Sequence, residues 1–119
     1  MTDIRTLSSE ELSHHFYTAY MRRAKAEKQA FLLDENRKRL LDVLTLQIMS
    51  DDSGISHAKA SSRARASDEF KTHLDGQGEA IQEKFEAMGA YHEVDFEIKR
   101  RLNASFAKNR EWSAGKLQT

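Results

Sequence analysis

Apolar residues return every three or four positions from Ser8 to Trp112, and this is the repeat of an amphipathic helix. The chain contains no proline, a residue that costs the interior of a helix about 3 kcal/mol. The pattern therefore predicts an all-α protein. In the first half, the repeat with the spacing of a helix seam is Leu12, Phe16, Ala19, Ala26, Ala30, Leu33, Leu40, Leu44 and Gln47 or Ile48, interrupted by Arg23 and Arg37.

The first predicted helix covers residues 8–50. Ser8 followed by Glu11 has the spacing of a capping box, and Leu7 and Leu12 flank it as a hydrophobic staple. The sequence Asp51, Asp52, Ser53, Gly54 offers capping side chains and a glycine, so it predicts a turn over 51–54.

The second predicted helix covers residues 55–112 and is followed by a flexible tail over 113–119. Gly76 and Gly78 together cost about 2 kcal/mol relative to alanine in a helix interior, which favours a kink near 75–78 or a third helix beginning there. Its apolar series is Phe70, Leu74, Ile81, Phe85, Met88, Tyr91, Ile98, Leu102 and Phe106.

Two long helices joined by a short turn predict one domain over residues 1–119, an antiparallel helical hairpin. One stretch of the first helix is apolar around most of its circumference, whereas one partner helix covers a single face. We therefore expect the hairpins to associate as a coiled-coil bundle, as a dimer or as a closed ring or larger assembly. The expected oligomer interface is Leu40, Leu41, Val43, Leu44, Ile48 and Met49.

Composition narrows the class of protein. Apolar residues make up 39% and charged residues 32%, which favours ordered amphipathic helices over disorder. The chain has no cysteine, no signal-peptide pattern and no long uncharged apolar stretch, so we expect a soluble cytoplasmic protein.

Motifs of chemistry are also lacking. The five histidines show no metal-ligand spacing, and no nucleophile elbow or phosphate loop occurs. We expect no enzymatic activity, no metal and no cofactor.

Charge is distributed in blocks although nineteen basic and nineteen acidic residues cancel. Residues 99–119 carry six basic residues against one acidic residue, whereas residues 81–98 carry five acidic residues against one basic. In a hairpin, the basic block at 21–40 is partly neutralised by the acidic one, and the block near the carboxyl end stays largely free. The candidate nucleic-acid-binding residues are Lys99, Arg100, Arg101, Lys108, Arg110 and Trp112, the last as a stacking platform or as a terminal packing residue.

The pattern from Ala64 to Phe70, followed by Lys99, Arg100, Arg101 and Leu102, resembles the UvsY family of phage recombination mediators over about residues 21–112. The resemblance implies an oligomer that binds single-stranded DNA and loads a recombinase onto it. The neutral overall charge departs from what tight DNA binding requires.

Two other functions fit the same helices. One is a coiled-coil adaptor or inhibitor that presents a helix face to a host protein complex, as small anti-host and anti-CRISPR proteins do. The other is a structural subunit of a virion or secretion assembly.

Overall fold

The computed structural model describes the backbone of residues 3–118 and the side chains of residues 3–110. The described residues form a short 3₁₀ helix, Ile4–Thr6, and three α-helices: α1 (Ser9–Asp51), α2 (His57–Arg65) and α3 (Asp68–Gln118). They contain no strand, and the two long helices α1 and α3 pack against each other. The all-α prediction is confirmed.

The start of α1 follows the predicted capping box. The backbone N–H of Glu11 donates to Ser8 Oγ at 3.1 Å, and the N–H of Ser8 donates to Glu11 Oε1 at 3.3 Å. Leu7 packs against the buried cluster that contains Leu12, as the staple predicts. The side chains of Ser8 and Glu11 satisfy two backbone donors that the helix itself leaves unpaired.

The second helical region differs from the prediction of one helix over 55–112. It is two helices, and the break lies at Ala66 and Ser67 rather than at Gly76 and Gly78. Ser67 explains the position, because its Oγ accepts the N–H of Phe70 at 3.3 Å and donates to the Ala64 carbonyl at 2.6 Å. The same side chain thus closes α2 and caps α3. Where a flexible tail was expected over 113–119, α3 continues to Gln118, and Thr119 lies outside the described residues.

The residues divide into two compact units, Met1–Arg23 with Ala87–Thr119 and Ala24–Glu86, which we call unit 1 and unit 2. In unit 1, Tyr91 lies against Phe16, and Arg101 reaches Leu7, so α1 and α3 run antiparallel there. Its buried cluster is Leu12, Ala19 and Val94, surrounded by Ile4, Leu7, Phe16, Tyr91 and Ile98.

Unit 2 contains the second part of α1, all of α2 and the start of α3. Ala26 and Ala80 line one cavity, and Leu41 and Phe70 line another, so the two long helices are antiparallel here as well. His73 Nε2 lies 2.9 Å from the Leu33 carbonyl oxygen, and this nitrogen carries the proton because a carbonyl only accepts.

Small side chains occupy most of the buried helix faces. The buried apolar positions are Ala19, Ala26 and Ala30 in α1, Ala60 and Ala64 in α2, and Ala80 and Ala87 in α3, with Leu12, Phe70 and Val94 as the larger members. Alanine allows close approach of two helix backbones. The apolar series of the second predicted helix is covered only in part, because Leu74, Ile81 and Phe85 are 41%, 41% and 65% exposed.

Replacing an alanine of this seam by a larger residue should destabilise the fold. Ala64 is fully buried in α2, so Ala64→Leu forces extra methyl groups into a filled space and should cost about 1–3 kcal/mol of unfolding free energy. Ala58→Leu changes an exposed position of the same helix and should be nearly neutral. Urea unfolding followed by circular dichroism compares the two, and equal midpoints would contradict the close packing.

Candidate functional site

One carboxylate on α3 is buried and bound by two arginines of the same helix. Glu97 is 2% exposed. Arg100 binds it through two contacts, Nη2 to Oε1 at 2.7 Å and Nε to Oε2 at 2.9 Å, and Arg101 Nε donates to Oε1 at 2.9 Å. We call these three residues the Glu97 cluster. The spacing of three and four residues places all three side chains on one helix face.

The cluster keeps its carboxylate ionised despite burial. Burial alone raises the pKa of a carboxyl group, because it disfavours the charged form. Hydrogen bonds from Arg100 and then Arg101 outweigh this effect and lower the pKa of Glu97 to about 2. The cluster is therefore a charged element within unit 1 at neutral pH.

Arg101 also binds the start of the chain. Its Nη2 donates to the carbonyl oxygens of Leu7 at 2.7 Å, Ile4 at 3.2 Å and Arg5 at 3.4 Å. The turn is further held by Asp3, whose Oδ1 accepts the backbone N–H of Arg5 at 3.0 Å. Glu97 thus orients Arg101, and Arg101 holds the residues that precede α1.

Three of the predicted nucleic-acid-binding residues have carboxylate partners in their own helix. Lys99 Nζ lies 2.8 Å from Asp95 Oδ2, and Arg100 and Arg101 belong to the Glu97 cluster. The expectation that this block stays largely free is wrong for them, because acidic residues lie three or four positions earlier on the same helix. Lys108 and Arg110 are exposed, and the side chain of Trp112 lies outside the described residues.

Aromatic rings form a second cluster in unit 1. The ring centroid of Tyr91 lies 5.4 Å from that of Phe16 and 6.5 Å from that of Tyr20. The guanidinium carbon of Arg23 lies 4.7 Å from the Tyr91 centroid, a cation–π arrangement. This contact explains why an arginine interrupts the apolar repeat of α1.

Large apolar side chains lie exposed along both long helices. In unit 2, α3 presents Leu74, Ile81 and Phe85, which we call the α3 stripe because spacings of seven and four residues put them on one face. In the same unit, α1 exposes Phe31, Leu32, Val43 and Leu46. In unit 1, Tyr17, Tyr20, Met21, Phe96, Leu102 and Phe106 are exposed.

The six residues of the predicted oligomer interface differ in their exposure. Val43 is 50% exposed. The other five residues, Leu40, Leu41, Leu44, Ile48 and Met49, are half-buried within the chain. Their role between copies stays a prediction, as does oligomerisation itself.

Other chemistry is sparse in the part of the chain that the structure describes. No three histidine, aspartate or glutamate side chains of the described residues lie close enough to hold one metal ion. None of the described helices has an apolar stretch that would cross a bilayer.

Comparison with protein families, curated proteins and solved structures finds no match to this chain. The resemblance to the UvsY family therefore stays a prediction, carried by the residue pattern alone.

The Glu97 cluster predicts a defined acid dependence. Because the pKa of Glu97 falls from 4.5 to about 2 on folding, its stabilisation is present above about pH 4.5 and is lost as the pH falls toward 2. Glu97→Gln should therefore lower the melting temperature by several degrees at pH 7, and this difference should shrink between pH 4.5 and pH 2. Circular dichroism melts across that range measure it.

The control is Glu93→Gln, which removes the same charge from an exposed position of α3. It should leave the melting temperature almost unchanged both at pH 7 and between pH 4.5 and pH 2. A constant difference between wild type and Glu97→Gln across the acid range would contradict the role given to the ionised carboxylate.

Proposed function

We propose that this chain is a non-enzymatic helical adaptor that binds a protein partner through exposed apolar side chains. The observation that carries the proposal is the reversal of the usual distribution. Seven of the ten buried apolar residues in the described part of the chain are alanines, whereas thirteen large apolar side chains are exposed. Exposed apolar patches of this kind mark protein-interaction surfaces.

The amount of exposed surface supports the same proposal. The chain exposes 9320 Å², whereas a monomeric protein of 13.7 kDa exposes about 6,600 Å². A specific protein interface buries about 800 Å² on each partner. The excess is large enough to accommodate such an interface.

The α3 stripe has the form that a partner helix recognises. Leu74, Ile81 and Phe85 occupy positions i, i+7 and i+11 of one helix, so they share one face, as the anchors of helix-in-groove recognition do. Full burial of each such side chain stabilises a complex by about 1.5–3 kcal/mol relative to exposure. An amphipathic helix is therefore the partner chemistry that fits.

The ion pairs of α3 favour this proposal over a recombination mediator. Binding to a phosphate would have to compete with Asp95 for Lys99 and with Glu97 for Arg100 and Arg101. Lys108 and Arg110 are the exposed cations of the predicted group that remain for nucleic acid.

Removing the α3 stripe should abolish partner capture without unfolding the chain. The triple variant Leu74→Gln, Ile81→Gln, Phe85→Gln changes exposed positions, so its helix content and melting temperature should stay close to those of the wild type. A partner captured by immobilised wild-type protein should be lost from the variant. Quantitative mass spectrometry of the captured proteins measures the difference.

The matched control, Thr72→Gln with Glu79→Gln, alters exposed polar positions on the opposite face of α3 and should retain the partner. Equal capture by the wild type and by the triple variant would contradict the proposal.

Nucleic-acid binding has a separate test. The measurement is fluorescence anisotropy of a labelled single-stranded oligonucleotide at low and high salt. We expect no salt-sensitive binding to the protein. Lys108→Glu with Arg110→Glu is the appropriate variant, because substitution of Arg100 or Arg101 would disturb the Glu97 cluster. Suppose that the wild type shows salt-sensitive binding and that this variant loses it. The result would favour the recombination mediator over the adaptor, because counterion release makes nucleic-acid binding depend on salt.

A further inference from the structure

A glycine beside the α3 stripe has no role within its own chain. Gly78 lies in the interior of a continuous helix, where glycine is less stable than alanine. Its backbone does not adopt a positive φ, and a Cβ built there would meet nothing within 4 Å. Neither backbone conformation nor packing inside the chain explains the residue.

The position of Gly78 relates it to the stripe. It lies four residues after Leu74, three before Ile81 and seven before Phe85, so it belongs to the same helix face. The face therefore carries a notch at residue 78 and a large projecting ring at residue 85. Phe85 is 65% exposed, so the ring is available to a second molecule.

We infer that α3 pairs antiparallel with α3 of a second copy, with Phe85 of each copy seated over Gly78 of the other. A two-fold axis midway between residues 78 and 85 crosses α3 beside Ile81. It brings both notches opposite both rings at once and places the two Ile81 side chains together. Such a self-complementary face is what a two-fold symmetric interface requires.

The antiparallel direction follows from the same positions. A parallel pair in register would set Phe85 against Phe85 and Gly78 against Gly78, so the rings would crowd and the notches would stay empty. In the antiparallel pair, Gln82 flanks the axis together with Ile81 and also lies beside its own copy. An uncharged amide there avoids repulsion between like charges at the centre.

This inference rests on the proposed protein-binding role and names a second copy of this chain as the occupant of the α3 stripe. It also moves the interface away from Leu40–Met49, where the sequence placed it. The covered side chains are Leu74, Ile81 and Phe85 from each copy, and in the isolated chain all six would remain partly in water.

A swap of the two key residues tests the pairing. Gly78→Phe alone should set two rings against each other, and Phe85→Gly alone should leave two gaps. Each should raise the dimer dissociation constant at least about tenfold. The double variant Gly78→Phe, Phe85→Gly exchanges ring and notch but keeps the two-fold relation, so it should return to within about threefold of the wild type. Sedimentation equilibrium gives the constants, and circular dichroism verifies that each variant is helical.

Cross-linking tests the direction, because the chain has no cysteine of its own. A Gln82→Cys variant should be joined to its copy by a short bismaleimide reagent. An Asp75→Cys variant should not, since the two thiols would lie about 20 Å apart along the antiparallel helices. Efficient cross-linking at residue 75 would overturn the antiparallel arrangement.

Two further outcomes would overturn the inference: a wild-type protein that stays monomeric at tens of micromolar, or a double variant no better than the single ones. A monomer that still captures a partner through the α3 stripe would leave the proposed function intact and remove only the self-pairing. A dimer that passes the swap test but captures no other protein would contradict the adaptor function alone.

Discussion

Close contact between helices through alanine is the constraint on which the rest of this structure depends. A methyl group fills little space, so a seam of alanines lets two backbones approach and buries little apolar area. Residues such as Ala26, Ala64 and Ala80 therefore provide shape more than hydrophobic stabilisation. Thirteen large apolar side chains of the described residues are exposed instead, among them Leu74 and Phe85.

Polar contacts hold the helices and the chain segments in place where the seam buries little apolar area. In unit 1, the buried carboxylate of Glu97 is acceptable only because two guanidinium groups bind it, and one of them continues to three backbone carbonyls. A buried charge without such partners would be costly. The ends of the helices follow the same logic, since Ser8, Ser56 and Ser67 each accept a backbone N–H that no helix bond satisfies.

Local chemistry was predictable from the sequence, and the choice of face was not. The capping box at Ser8 and the long first helix follow from spacings of three and four residues, and the structure has both. The cap at Ser67 was missed because glycine is the stronger breaker by propensity, although a serine bonded to both flanking helices decides the break. A search for apolar periodicity also favours large side chains over alanine. It therefore picked out Leu74 and Phe85, whereas Ala80 and Ala87 are among the buried residues of this helix. The contact of Arg101 with Leu7 joins residues 94 positions apart, and no local pattern contains it.

Unit 1 is assembled from both ends of the chain, whereas unit 2 is one continuous stretch, and this difference orders the events of folding. During synthesis, residues 24–86 emerge together and form contacts that are nearer in sequence, which favours rapid assembly. The turn before α1 has to wait for Arg101, which donates to its carbonyls and is synthesised 94 residues after Leu7. Residues 24–86 can therefore pack before residues 4–7 acquire their hydrogen bonds to Arg101.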